Sequence, residues 1–526
     1  MNSMIKLSSI PEEEKTPLVI QLLENIRQQA EEIQRLKDEI ARLKGHSGRP
    51  KIRPSRLEKP KDDRKEGAPK RPGSAKRRKT EELEIHETTR IAPEEIPKGL
   101  TFKGYTDYTV QDLKIEPYNI RYRLEKWETP EGELLVGQLP DTAKDGHFGQ
   151  KSVGFILYQY YHGHVTQPLL LEQLWEYGVE ISSGQLSRIL TEDKDLFHEE
   201  KAEVLATGLE VSSYVQVDDT SARHQGKNGY CTHIGNEWFS FFESTESKSR
   251  LNFLRILRGE HSDYVLNVDA LAYMEAQGLA QKWLAVLRGQ GERIFDDTLE
   301  WESFLESEGM VGDRVRQIVT EGALLGSVIH HGITPDLVIV SDDAGQFNIL
   351  LHALCWIHAE RSLDKIVAHT EQERQDLESI QEELWQLYRE LKAYKDAPDD
   401  QKKAELEKRF DALFTTRTHS ETLNSALQRI HQNKAELLLV LQRPEIPLHN
   451  NLSENAIRDY VKRRKISGST RSEAGRRCRD TFTSLKKSCR KLGVSFWQYL
   501  LDRLGRKGKI PRLSELIRQQ AASAEG

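Results

Sequence analysis

Tyr214-Val215-Gln216-Val217-Asp218-Asp219-Thr220 is the stretch on which the fold of this 526-residue chain turns. Its β-branched and aromatic residues spell a strand that ends in acid. Two further strands follow, Cys231-Thr232-His233-Ile234-Gly235 and Trp238-Phe239-Ser240-Phe241-Phe242. Leu251–Leu257 then begins a helix, and Asp336-Leu337-Val338-Ile339-Val340-Ser341-Asp342 is a buried strand that again ends in acid.

Three strands, a helix and another strand is the element order of an RNase H-like core. The expected class is therefore multidomain α/β, with a mixed sheet core carrying helical insertions near 260–330 and 371–435. Asp218 and Asp342 sit at the ends of apolar strands, 342 − 218 = 124 residues apart. Strand ends often carry turn-forming Asp, and Asp269 after Val265-Leu266-Asn267-Val268 is a decoy of that kind. Asp342 is preferred because Asp343-Ala344-Gly345-Gln346-Phe347 turns straight into an apolar helix; pattern leaves Asp219 and Asp343 as open alternatives. Phosphoryl transfer on DNA needs the attacking and leaving oxygens handled together, which two divalent ions about 4 Å apart accomplish. Two or three carboxylates from distant parts of the chain suffice to hold them.

Glu454 is the third candidate, in Asn451-Leu452-Ser453-Glu454-Asn455-Ala456-Ile457-Arg458. Asn451-x-x-Glu454 also has capping-box spacing, so a purely structural role is open. The next turns of the helix favour a site, because Arg458, Lys462 and Lys465 recur near the face that Glu454 begins. Arg463, Arg464 and Arg471 join them as candidate DNA contacts. Cys355 and His358 have zinc-ligand spacing without a second pair nearby, so core packing is the better reading.

Outward from this core, residues 206–470 form the expected catalytic domain and 471–526 a C-terminal basic helical region. Residues 101–205 read as a small strand region followed by helices. Ile120–Leu124 and Glu133–Val136 flank a turn at Thr129–Gly132. Leu169–Tyr177 and Ser183–Leu190 are helices around a Gly178 turn, with Ser182 or Ser183 as N-cap. They form either a helix-turn-helix with Gly184–Arg188 on the reading helix or an ordinary helical pair. Residues 1–44 hold heptads, Val19, Ile26, Ile33 and Ile40 at one position and Leu22, Gln29, Leu36 and Leu43 at the other, which predicts a two-stranded coiled coil and with it a homodimer or higher homo-oligomer, the alternative being an amphipathic helix packed on its own domain. Residues 45–100 read as a basic, proline-rich linker.

The net charge of −6 hides segregation: Lys44–Lys79 carries fifteen Lys/Arg against four Asp/Glu, and Ala456–Lys491 thirteen against three. Such local basic stretches attract phosphates whatever the total. There is no apolar run of about eighteen residues and no secretory signal, and four scattered cysteines suit a reducing cytoplasm.

Val217-Asp218-Asp219-Thr220 resembles the first-aspartate motif of the IS66-type insertion-sequence transposases. Ser341–Phe347 is similar to their second-aspartate segment, and Cys355-Trp356-Ile357-His358-Ala359-Glu360-Arg361 to the stretch after it. Asn451–Arg458 matches the glutamate helix, Arg464-Lys465 and Gly468-Ser469 the segment after it, and Phe496–Leu500 the terminal helix. Asp219 stands where relatives often have Glu, and no cysteine precedes Cys231, where many relatives carry a cysteine-rich zinc segment. The resemblance implies a D-D-E transposase that cuts and rejoins element ends with Mg²⁺ or Mn²⁺, acting on double-stranded DNA with possible accessory proteins of the same element. A non-cutting DNA-binding regulator on the same fold and a metal-dependent nuclease are the competing expectations.

Overall fold

The structure is a computed structural model that describes residues 84–92, 105, 108–140 and 146–525. The heptads of 17–44 and most of the basic linker lie outside the described residues. The chain divides into two units, Met1–Tyr105 and Thr106–Gly526, and every strand and helix of the described residues belongs to the second.

Its first element is a hairpin of β1 (Lys126–Glu128) and β2 (Leu134–Val136), with Lys126 opposite Val136. The sequence places the first strand at Ile120–Leu124, but those residues are exposed and unpaired in the sheet. The turn decides this: Gly132 N–H donates to Thr129 O at 2.9 Å and Thr129 N–H to Glu133 O at 2.8 Å, so pairing is counted outward from there. Four helices follow, α1 (Gln150–Leu157), α2 (Gln167–Glu176), α3 (Ser183–Thr191) and α4 (Asp195–Glu210). Ser182 caps α3, its hydroxyl accepting Gln185 N–H at 3.1 Å. The turn between α2 and α3 passes through Gly178 at φ +77°, a conformation that costs glycine nothing.

The central sheet begins with β3 (Tyr214–His224), β4 (Lys227–Gly235) and β5 (Ser240–Thr245), followed by α5 (Arg250–Arg258). β3 does not stop at the acid. It runs on to His224 because β4 pairs with it throughout, from Gln216 opposite Gly235 to His224 opposite Lys227. An inserted α/β unit comes next: β6 (Tyr264–Leu266), α6 (Val268–Ala276), α7 (Gln281–Gly289), β7 (Arg293–Phe295), α8 (Thr298–Ser307) and α9 (Asp313–His330). Asp269, the decoy, lies in the first turn of α6. Gly326 lets α9 press on β6, since a Cβ there would stand 2.2 Å from Val265 O.

α9 leads into β8 (Val338–Ser341), then β9 (Leu351–Leu354) and α10 (Trp356–Asp364). The five strands are ordered β5-β4-β3-β8-β9, with β4 antiparallel to both neighbours and β3, β8 and β9 mutually parallel. The second insertion is helical: α11 (Glu371–Asp396), α12 (Asp400–Phe414) and α13 (Glu421–Gln432). A Thr370/Glu373 capping box starts it, and Phe410 packs edge-on to Trp356 at 6.0 Å.

α14 (Asn451–Ser467) then crosses the sheet, and α15 (Glu473–Lys491), α16 (Phe496–Leu504) and α17 (Leu513–Glu525) complete the chain. The C-terminal basic region of 471–526 is helical, and its helices pack into the core. Cys478, Phe482, Leu485 and Cys489 of α15 join the main hydrophobic cluster. Arg503 of α16 donates to the fully buried Glu200 of α4 at 2.8 Å. α15 also seals the sheet's free edge: Ser488 Oγ, Ser484 Oγ and Asp480 Oδ2 accept the N–H groups of Ser240, Phe242 and Ser244 at 3.1, 2.8 and 2.8 Å. The stride of four matches one helical turn to two strand residues, about 6 Å against about 7 Å.

Among the described residues no helix is long and apolar enough to cross a membrane. All four cysteines are free and buried.

Candidate active site

Side chains alternate along β3, and the two sets have different neighbours. Val215 and Val217 enter the main core. Gln216, Asp218, Thr220 and Ala222 share the other face, which α14 covers: Gln216 Oε1 accepts Leu452 N–H at 3.0 Å, Arg464 donates to Thr220 Oγ1 at 3.1 Å, and Ala222 packs with Ala456, Ile457 and Tyr460. Asn450 Nδ2 donates to Val217 O at 2.6 Å, and Ser453 Oγ lies 2.6 Å from His233 Nδ1, whose residue pairs across from Asp218. The helix carrying Glu454 is thus fastened to β3 on both sides of Asp218.

Asp342 is placed by register. Tyr214, Val215 and Gln216 pair with Val338, Ile339 and Val340, an offset of 338 − 214 = 124. Asp218 and Asp342 have the same offset, 342 − 218 = 124, two residues beyond the last pair, Gln216 with Val340, so the register carries Asp342, the first residue after β8, toward Asp218. Asp342 Oδ1 accepts Ala344 N–H at 3.2 Å, which fixes its carboxylate in the turn.

The two open alternatives separate here. Asp219 points to the other side, its carboxylate nearly buried against Lys248 Nζ at 2.5 Å and Gln346 Nε2 at 2.7 Å. Asp343 is exposed. Asp218 is the one surrounded by acid: burial pushes its carboxyl up to about 7, and the charges of Asp342, Asp219 and Glu454 add to that, against one hydrogen bond from Asp219 N–H. The three candidate carboxylates share one end of the sheet without crowding; their oxygens are not all within 4.8 Å of one another.

Glu454 accepts Arg361 through both oxygens, at 3.3 and 3.4 Å, and has Arg458 at 3.8 Å and His358 at 4.0 Å. Arg361 and His358 come from α10, whose start is tied to the α14 approach by Trp356 N–H to Leu448 O and Asn450 N–H to Cys355 Sγ. Cys355 is packed away, as its apolar neighbours require, while His358 borders the acids one turn along. Burial lowers the His358 pKa, and Glu454 and Asp342 pull against that. Sequence reasoning missed Arg361, Gln216, Asn450 and His233. Only the Cys355–Arg361 stretch carried a signal, in that a short strand feeding a helix start is where such residues converge.

The basic residues divide. Arg458, Lys462, Lys465 and Arg471 are exposed. Arg464 is bound to Thr220 and to Ser221 Oγ at 2.6 Å. Arg463 is buried, its guanidinium 3.9 Å over the Tyr160 ring and donating to Tyr160 O at 2.5 Å. It braces the helical turn Tyr158–His162 that follows α1, and its position on α14 points into the packing and not along the Glu454 stripe.

Residues 331–477 match the family model described as Transposase IS66 family. That span holds Asp342, α10, the helical insertion and Glu454. The chain is also 44% identical over 321 residues to the uncharacterized protein y4jO of Sinorhizobium fredii (strain NBRC 101917 / NGR234), covering 60% of this chain and all of that relative. This chain belongs to the IS66 transposase family. Within this family member, Asp218 lies outside the matched span, and the β-sheet register brings it toward Asp342, which lies inside.

Proposed function

We propose that this IS66-family chain cuts DNA at the ends of its own insertion sequence and joins them to a target, with Asp218, Asp342 and Glu454 holding two divalent cations, Mg²⁺ or Mn²⁺. The observation that carries the reading is the shared 124-residue offset, which aligns Asp218 with Asp342, together with the fastening of the Glu454 helix across the same strand. The strand order, with one antiparallel strand inside an otherwise parallel array, supports an RNase H-like core.

The donor set fits the ion. All three side chains offer hard oxygen, which Mg²⁺ prefers, and two buried polar atoms nearby, Asn450 Oδ1 and His358 Nδ1, have no protein hydrogen-bond partner. Bound there, the cations would activate an attacking water or hydroxyl and offset charge on the leaving 3′ oxygen. Glu454 must then leave Arg361, freeing a guanidinium beside the reacting phosphate. Arg458, Lys462, Lys465 and Arg471 are positioned to hold the DNA backbone alongside.

The test is incubation of the full chain with duplex DNA spanning the element ends and Mg²⁺. Cleaved ends and joined products are expected. Binding without cleavage would favour the regulator, and cleavage without joining the nuclease. The homodimer is part of the same proposal: removing residues 1–44 should reduce the mass in solution by half, and an unchanged mass would rule out pairing through the heptads.

A further inference from the structure

We propose that His261, Asp263 and His331 bind one zinc-class divalent ion in the first insertion, away from the carboxylates of the sheet. Among the described residues these form the one group of three His, Cys, Asp or Glu side chains whose ligand atoms all lie within 4.8 Å of one another. His261 and Asp263 are two apart in the segment entering β6, and His331 follows the last turn of α9.

The carboxylate is held in place. Ser327 Oγ, one turn back on α9, donates to Asp263 Oδ1 at 2.9 Å, while Arg258 Nη1 fixes the backbone of the same residue by donating to its carbonyl oxygen at 2.7 Å. His331 Nε2 lies 3.0 and 2.9 Å from the two carboxylate oxygens. His261 lies flat on His331, the ring centroids 3.4 Å apart and the planes 4° from parallel. A plain His–Asp pair accounts for His331 and Asp263. It does not account for His261, which is exposed yet keeps a ring nitrogen near the same carboxylate.

Two imidazoles and one carboxylate suit Zn²⁺, Co²⁺ and Ni²⁺, whereas Mg²⁺ favours oxygen alone. Zinc sits about 2.0–2.2 Å from such ligands, which puts ligand atoms roughly 3–4 Å apart around it. The His331–Asp263 separation of 2.9 Å must open by several tenths of an ångström and the two stacked imidazoles must tilt so that their nitrogens converge, with the ion taking the place of the shared proton. Ser327 keeps its hydrogen bond and orients the ligand carboxylate, the usual part of an outer-shell hydroxyl. Solvent completes the coordination on the exposed side. The ion would clamp the entrance of β6 to the end of α9, 342 − 331 = 11 residues before Asp342.

The experiment uses the full chain, stripped with a chelator and titrated with Zn²⁺ by calorimetry in excess Mg²⁺, with Co²⁺ absorbance as a second readout. Wild type should take up zinc at a site that His261→Ala and His331→Ala each weaken at least tenfold. His330→Ala, a neighbour whose ring is 5.1 Å from His331, should bind as wild type does. His261 is exposed, so its removal leaves the fold intact and the comparison readable. Absence of zinc uptake by wild type, or uptake unchanged in both His261→Ala and His331→Ala, would overturn the proposal.

Discussion

Asp218, half-buried at the end of the sheet, and Asp480, fully enclosed, are both aspartates pushed up to about 7, and desolvation is the leading cause in each. Their surroundings differ. Asp480 accepts Ser244 N–H at 2.8 Å, Ser244 Oγ at 3.0 Å and Tyr460 Oη at 3.2 Å, and the acid that adds to its upward shift is Glu243. Asp218 accepts one adjacent backbone N–H and otherwise faces acids. One carboxyl is satisfied by donors that belong to the scaffold. The other faces neighbouring acids, and in the proposed function a bound cation would offset their charge. A raised pKa therefore does not mark a site by itself; what fills the carboxyl's remaining lone pairs does.

Three substitutions press on that contrast. Asp342→Asn beside Asp218 should abolish cleavage while leaving folding and DNA affinity nearly intact. Loss of a cation's charge stabilisation is worth several kcal/mol, on the order of a thousandfold in rate. Normal cleavage by this variant would remove the acidic cluster from the chemistry.

Asp480→Ala should do the opposite, lowering stability by about 1–3 kcal/mol by leaving buried donors unpaired, with cleavage per folded molecule unchanged. Because the folded pKa of Asp480 lies above its unfolded value of about 3.9, the unfolded chain binds fewer protons between the two. Stability thus falls as pH rises from about 4 to about 7 and levels off above. Asp480→Asn should flatten that decline, measured by denaturant unfolding across pH; an unaltered slope would place the charge elsewhere.

The smallest effect concerns the basic residues of α14. Alanine at Arg458, Lys462 and Lys465 together should reduce the salt slope of DNA binding by about one unit for each. Arg463→Ala should leave the slope alone and lower the melting temperature, since its cation lies on the Tyr160 ring.

Much of the sheet was legible because strands announce themselves by alternation. Val217-Asp218 and Ser341-Asp342 mark both the core and its acids, and even the register is latent in the 124-residue spacing. What was hidden depends on contacts between distant segments. Arg463 reads like Lys462, yet one enters a packed aromatic surface and the other meets solvent. Ser484 and Ser488 look like polar punctuation in a basic helix until a strand edge is set beside them. The hairpin moved from Ile120–Leu124 to Lys126–Glu128 because apolar content marks strands, whereas the turn sets which residues meet.

The Asp480–Ser484–Ser488 row has a consequence for how the chain tolerates damage. Three amide protons of β5 depend on side chains that arrive more than two hundred residues later in synthesis. A ribosome release or a protease cut before residue 480 would leave those amides facing water along an open strand, a template for the next unfinished copy. Truncated products should therefore precipitate rather than linger as soluble competitors for DNA.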